Sequence, residues 1–272
     1  MAAKRDPDRS AMALFADEMR AARDRAGLTQ DELAARVNYS TTLVAMVESL
    51  KRVPQADLAA RLDDVLATPG TFGRLQERLR SLPFPASFRP FAAYEDLAVA
   101  LRNFENCLIP GLLQTEDYAR AVLSARPNTN EDEVDELVAV RLARQAILNR
   151  DDPPALWVVV DEGVLTREIG SPKTMAGQLQ HLADMAARPN ITIQVIPFSA
   201  GAHIGLQGAF IIAEFADTPP VAFLATATDG QTIEDASAVA RALFTFDNLR
   251  SEALPRKASR EQIQRLAEER WT

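Results

Sequence analysis

The chain holds one cysteine, two histidines and two tryptophans in 272 residues, and each scarcity removes a class of protein. A lone thiol, Cys107, closes no internal disulfide, which excludes a disulfide-stapled scaffold and fits a reducing cytoplasm. Its apolar neighbours point to a buried thiol rather than a reactive one. Histidines 181 and 203 stand far apart without any paired-cysteine spacing, so neither metal nor cofactor is expected. No apolar run approaches the ~20 residues that cross a bilayer. Residues 1–10 are charged and polar with no apolar stretch behind them, and read as a disordered leader rather than a signal peptide. Phosphate loops, dinucleotide fingerprints and nucleophile elbows are missing as well, so no enzymatic activity is expected. There are no internal repeats and no low-complexity tract.

What is present begins with charge. The net charge is −8, which by itself argues against a nucleic-acid partner. Its distribution removes the objection. Up to Arg80 there are 13 Lys and Arg against 12 Asp and Glu, and the remainder has 17 against 26. The acidic excess therefore lies outside the N-terminal segment, and binding depends on the local footprint rather than on the whole chain. Arginine outnumbers lysine 26 to 4, a composition associated with high-GC genomes.

Helical periodicity with short breaks runs over residues 11–66, and a helical connector over 72–82 meets Pro83-Phe84-Pro85 and Arg89-Pro90, which end any helix. Beyond Pro90 the pattern becomes mixed. Helices are expected at 93–106, 115–123, 131–149, 173–187, 233–249 and 259–269. Strands rich in Val, Ile and Phe are expected at 155–160, 191–197, 209–215 and 221–226, the last two forming a hairpin. The fold class is α+β: an all-α N-terminal domain (10–68), a helical, Pro-rich connector (69–90), and an α+β domain (91–272) with a small, mainly antiparallel sheet.

The most informative stretch is 28–48. Gly27 supplies the position after a helix ending near Ala26. Thr29 and Glu32 form a capping box that starts the next helix at Gln30. Leu33 and Val37 share its inner face, and Ala34 is small where two crossing helices must touch. Asn38 occupies the turn position that requires positive φ, where Asn is the next choice after Gly. Ser40 caps the following helix, whose Val44 and Val47 face inward. Singly these are weak signals; together, at this spacing, they specify a helix-turn-helix. The bland alternative, a plain three-helix bundle, has no reason to place them all.

The second helix of such a motif enters the major groove. Its outward residues here are Thr41, Thr42, Ala45 and Met46. Threonine offers a hydroxyl and a methyl, so base readout is modest, and no Arg, Asn or Gln on that face makes a bidentate contact. Shape and deformability of the DNA are expected to share the readout. Phosphate contacts are assigned to Gln30, Ser40, Lys51 and Arg52. Arg20 and Arg23 read equally as phosphate contacts or as a solvated helix face.

At residues 30–54 the chain resembles the Cro/repressor-type (XRE family) helix-turn-helix domains. Glu48 matches their glutamate at the end of the recognition helix, and Lys51-Arg52-Val53-Pro54 their basic exit; Leu50 departs from their usual glycine. Nearly the whole chain resembles the WhiJ-like two-domain regulators of Streptomyces and related actinobacteria. The carriers lie at 109–119 (Ile-Pro-Gly-Leu-Leu-Gln-Thr-Glu-Asp-Tyr-Ala), 141–145 (Arg-Leu-Ala-Arg-Gln), 161–165 (Asp-Glu-Gly-Val-Leu), 178–182 (Gln-Leu-Gln-His-Leu) and 195–203 (Val-Ile-Pro-Phe-Ser-Ala-Gly-Ala-His). The resemblance implies a DNA-binding repressor or an antitoxin-like protein, with a small companion protein as partner of the C-terminal domain.

The C-terminal motifs also have plain structural readings. Pro110-Gly111 is a turn leading to Thr115, which caps an acidic helix start. Arg141 and Arg144 share a helix face and either grip an anion or form a solvated, salt-bridged surface. Asp161 and Glu162 end an apolar strand, as catalytic carboxylates or as a cap. The loop 198–208 is the most site-like feature, with Phe198, Gly201, Gly205, Gly208 and His203, and is either an effector or partner surface or an ordinary connection. The expectation is a cytoplasmic, homodimeric transcriptional regulator that binds double-stranded DNA. Its C-terminal domain would dimerise and sense a small-molecule effector or companion protein. The alternative is an antitoxin that mainly sequesters its partner and autoregulates; an enzyme with a vestigial helix-turn-helix is the remaining rival.

Overall fold

Short helices with well-formed caps build the first part of the molecule. The computed structural model describes residues 11–49, 52–80, 88–127, 129–226 and 230–271. The leader at 1–10, Leu50, Lys51 and the Pro83-Phe84-Pro85 break lie outside them. The chain divides into two compact units between Leu97 and Ala98.

The N-terminal unit contains α1 (Ala11–Arg25), α2 (Gln30–Val37), α3 (Thr41–Glu48), α4 (Ala56–Val65), α5 (Thr71–Arg80) and α6 (Arg89–Leu97). Phe15, Met19, Leu33, Val37, Val44, Val47, Leu58, Leu62 and Phe72 are buried together at its centre. Burial of side chains of this size stabilises by roughly 1.5–3 kcal/mol each. The connector helix belongs to this core: Phe72 of α5 packs against Phe15 of α1 at 5.2 Å between ring centroids. The Asp63 carboxylate sets the start of α5 by accepting from the Thr68 hydroxyl and from Phe72 and Gly73 N–H. The exit from α3 is held by α6, where Tyr94 Oη accepts from Val53 N–H.

In the C-terminal unit a six-stranded sheet has the order β3-β2-β1-β4-β5-β6. The strands are β1 (Ala100–Glu105), β2 (Ala155–Asp161), β3 (Ile191–Ile196), β4 (Phe210–Glu214), β5 (Val221–Ala225) and β6 (Gly230–Ile233). β1–β2 and β2–β3 are parallel, whereas β1–β4, β4–β5 and β5–β6 are antiparallel. Parallel pairs need crossovers, and these carry α7 (Glu116–Ser124) and α8 (Glu131–Arg144) between β1 and β2, then α9 (Glu162–Thr166) and α10 (Pro172–Met185) between β2 and β3. α11 (Ala236–Glu252) and α12 (Arg256–Glu269) follow the sheet.

Both faces of the central strands carry buried residues. Phe104, Val159, Phe210, Ile212, Phe246 and Leu249 form a core under α11. The alternate residues Leu101, Asn103, Val158 and Val160 are buried on the opposite face. The outer edge of β3 is closed rather than left as an open template: Val195 N–H donates to Ser259 Oγ and its carbonyl accepts from Leu254 N–H.

Three expectations are corrected. The span 93–106 is not one helix: α6 ends at Leu97 and β1 begins at Ala100, because strands on both sides of β1 supply ladder partners that periodicity alone cannot reveal. The helix at 131–149 ends at Arg144 and continues only as a 3₁₀ turn. Cys107 is exposed, since it falls just past the end of β1.

Candidate functional site

The geometry around α2 and α3 meets each demand of the motif. Gly27 has φ +65°. Thr29 Oγ1 accepts from Glu32 N–H while the Glu32 carboxylate accepts from Thr29 N–H, which holds the Glu32 acid below the usual carboxylate range. Asn38 sits at φ 57°, ψ 49°, and its N–H returns to the carbonyls of Ala34 and Ala35. Ser40 Oγ then accepts from Leu43 N–H to start α3.

A buried ionic hub fixes α3 against α1 and α2. The Glu48 side chain is only 3% exposed and accepts from Arg23 Nε at 2.6 Å. Arg23 Nη2 at 3.1 Å and Gln30 Nε2 at 2.8 Å complete its shell. Arg20 Nη2 donates to the Glu48 carbonyl at 2.6 Å, at the end of α3 where a cation also faces the negative end of the helix. The Glu48 carboxylate holds the Arg23 guanidinium pKa above its ordinary value. The structure therefore commits Arg23 and the Gln30 amide to the protein interior. Thr41 Oγ1 donates to Asp31 at 2.6 Å, tying the first turn of α3 to α2. Thr41 and Thr42 remain exposed, Ala45, Met46 and Arg52 are half-buried, and Ser40 is exposed; Lys51 lies outside the described residues. The hub was not legible beforehand, because 25 residues separate Arg23 from Glu48.

In the C-terminal unit, three motifs distant in sequence converge on the segment 109–115. Tyr118 Oη accepts from Ile109 N–H, and Gln114 Nε2 donates to the Ile109 carbonyl at 2.7 Å. Gln178 of α10 accepts from Thr115 N–H and donates to the Leu113 carbonyl, both at 2.7 Å. Gln145 donates to the carbonyls of Gly111 and Gln114. Arg141 of α8 donates to Gln114 Oε1 at 2.7 Å. Arg144 lies against Gly111, its Nη1 3.3 Å from the point a Cβ would occupy, so glycine there makes room for the guanidinium. Glu105 stands at the carboxyl end of β1, near enough for the charges of these arginines to act on it. Burial pushes its pKa up to about 8 although Arg141 and Arg144 oppose the shift. The same burial, with Arg144 and Arg126 adding repulsion, pushes the Arg141 pKa down to about 10.

The remaining two motifs meet on the other sheet face. His203 Nε2 lies 3.0 Å from Asp161 Oδ2, and Asp161 Oδ1 accepts from Gly163 N–H to start α9. The Glu162 carboxylate accepts from Phe198 N–H at 2.8 Å, and Asn106 Nδ2 donates to the Gly205 carbonyl at 3.0 Å. Gly205 rests on Phe104, and the His203 ring stands edge-on to the same Phe104. These contacts hold the inner side of the 198–208 loop and leave Phe198, Ile204 and Leu206 exposed. Gly201 takes φ +71° with open space around it. The structure thus separates the five C-terminal candidates: Arg141 and Arg144 serve one cluster, Phe198, Gly201 and His203 the other. Among the described residues no group of three or more His, Cys, Asp or Glu is arranged to hold a metal ion, and no helix is long and apolar enough to cross a membrane.

A helix-turn-helix unit joined to a mixed α+β unit defines a two-domain regulator architecture, and residues 14–72 match the model for a family described as Helix-turn-helix domain. Residues 88–265, well over half of the chain, match the model for the family described as Domain of unknown function (DUF5753), and the chain belongs to that family. No curated protein and no solved structure matches it.

Proposed function

We propose that the protein is a sequence-specific, DNA-binding transcriptional regulator that acts as a homodimer. In this reading α3 enters the major groove with Thr41, Thr42, Ala45 and Met46 toward the bases, while Ser40, Lys51 and Arg52 contact phosphates. The observation that carries it is the capped α2–α3 pair locked by the Glu48 hub, which leaves the threonine face of α3 outward. So few base readers give one copy little affinity, which favours two copies on half-sites one helical turn apart. The C-terminal unit would supply the pairing and respond to a ligand or companion protein.

The test is a mobility-shift titration on the DNA upstream of the protein's own coding region, over a salt series. Affinity is expected to fall steeply with salt and to drop in the combined Thr42→Ala, Lys51→Ala, Arg52→Ala variant. Salt-independent binding, or full affinity in that variant, would sink the docking arrangement. Exposed Phe198, Ile204 and Leu206 on one loop favour a second reading, an antitoxin-like protein that sequesters a small partner. Co-purification of a neighbour-encoded protein, lost in Phe198→Ser with Leu206→Ser, supports it; a monodisperse homodimer indifferent to that protein counts against it.

A further inference from the structure

We infer that α3 reads the methyl groups of thymine rather than the hydrogen-bonding edges of the bases, with Thr42, Ala45 and Met46 setting specificity. This rests on the DNA-binding reading proposed above and names the feature of the DNA that the same surface recognises.

The helix runs Thr41-Thr42-Leu43-Val44-Ala45-Met46-Val47-Glu48 and contains no Arg, Lys, Asn or Gln. Its polar groups are largely spent on the fold. Thr41 Oγ1 donates to Asp31 Oδ1 at 2.6 Å, which fixes the first turn of α3 to α2 and commits that hydroxyl's proton. The Glu48 carboxylate is enclosed by Arg23 and by the Gln30 amide. At the two ends, Ser40 Oγ accepts from Leu43 N–H and the Ser49 hydroxyl donates to the Ala45 carbonyl. The outward face of α3 therefore keeps one hydroxyl with an uncommitted proton, that of exposed Thr42.

Ala45 and Met46 stand three and four residues after Thr42 and so share its helix face. Both are half-buried. The face thus presents two methyl groups and a thioether beside a single hydroxyl. A hydroxyl both donates and accepts, so it serves any base edge without choosing among them. Discrimination falls to the apolar groups. On the major-groove edges the apolar group is the C5-methyl of thymine, and alanine and the threonine methyl are side chains that meet it. The flexible Met46 thioether can follow such a methyl over a range of positions. Each methyl buried in this way is worth roughly 4-fold in affinity, so two or three contacted thymines in a half-site amount to roughly 15- to 60-fold.

The full chain is offered a randomised duplex pool, and the enriched site is rebuilt with small chemical changes and titrated by anisotropy of a labelled duplex. Each thymine is replaced in turn by uracil, which removes only the C5-methyl. At one or more thymines per half-site, uracil is expected to weaken binding roughly 4-fold. At the same position a 5-methylcytosine·guanine pair should bind more tightly than cytosine·guanine by a similar factor. Thr42→Val keeps a methyl and loses the hydroxyl, and should retain wild-type affinity. Thr42→Ser keeps the hydroxyl and loses the methyl. It should weaken binding and also shrink the uracil penalty, a coupling that altered DNA shape alone would not give. Trp157 and Trp271 both belong to the C-terminal unit, so tryptophan fluorescence does not report on α3, and hydrogen exchange over α1 and α3 checks that both variants fold. The wild-type uracil series stands without either variant. The inference is overturned if no thymine is sensitive to uracil, or if 7-deazapurines at the same base pairs weaken binding more than uracil does. It is equally overturned if Thr42→Ser binds like wild type while Thr42→Val does not. A pool with no enriched sequence sinks the regulator reading and this inference with it, whereas an enriched site blind to uracil sinks the thymine readout alone.

Discussion

Removing the carboxylate of Glu48 tests the physics of the DNA-binding unit most directly. The pair it forms with Arg23 is shielded on both sides, with side chains 3% and 13% exposed, so solvent screens it little. In Glu48→Ala the Arg23 guanidinium loses its shielded counter-ion and keeps only the exposed Asp24 carboxylate, and the Gln30 amide loses its acceptor. Breaking one partner of a buried pair costs about 3–5 kcal/mol. A unit of this size holds about 0.05–0.15 kcal/mol per residue, so the loss is about a fifth or more of its stability. Arg23→Ala should cost a similar amount, because it strands the carboxylate instead. The double change Glu48→Leu with Arg23→Met replaces both charges by apolar groups and should recover to within about 1–2 kcal/mol of wild type. Tryptophan fluorescence is blind here, so the assay is peptide-resolved hydrogen exchange over α1 and α3 across a urea series in the full chain. A double-mutant cycle then gives the coupling. If Glu48→Ala costs less than about 1 kcal/mol, or the two single changes simply add, the pair behaves as a surface ion pair and the locking role of Glu48 is refuted.

Four further outcomes are expected. Asn38→Gly should be neutral or slightly stabilising and Asn38→Ala should cost about 1–2 kcal/mol, because only the alanine pays a Cβ penalty at positive φ; the same exchange assay reads both. Glu105, with Arg141, Arg144 and Tyr118 around it, holds its proton more tightly folded (about 8) than unfolded (about 4.3). Its contribution is therefore favourable at acid pH, and C-terminal stability declines as pH rises between those two values. Fluorescence melting of wild type and Glu105→Gln should converge near the acid end and diverge toward the alkaline end; parallel curves would refute the shift. Gly205→Ala places a Cβ 2.1 Å from Phe104 Cζ and 2.9 Å from Leu249 Cδ2, atoms that are themselves buried, and should lower C-terminal stability by roughly 1–3 kcal/mol. Exposed Cys107 should react with a thiol reagent in the native protein at a rate close to that of the unfolded chain.

The helix-turn-helix was readable because its determinants are local. Thr29 reaches Glu32, Asn38 reaches Ala34, and Ser40 reaches Leu43 within a turn of helix, so residue type and spacing specify caps and φ without any knowledge of the rest. The same holds for β2 to β5, short runs of apolar and β-branched residues bounded by Pro and Asn, and for the β4–β5 hairpin. Failure came where a partner was remote. β1 passed for helix because its identity rests on ladders to β2 and β4, and β6 was missed because only β5 defines it. The candidate sites divide in the same way. The sequence alone marked the threonine face of α3 and singled out Arg141, Arg144, Asp161, Glu162 and His203 as chemistry-bearing. Only the tertiary structure decided that Arg23 and Gln30 turn inward to Glu48, that His203 pairs with Asp161, and that Arg141 of α8 donates to Gln114. Those outcomes depend on charges and strand ends drawn together over 18 to 42 residues or more, a distance at which no local propensity carries information.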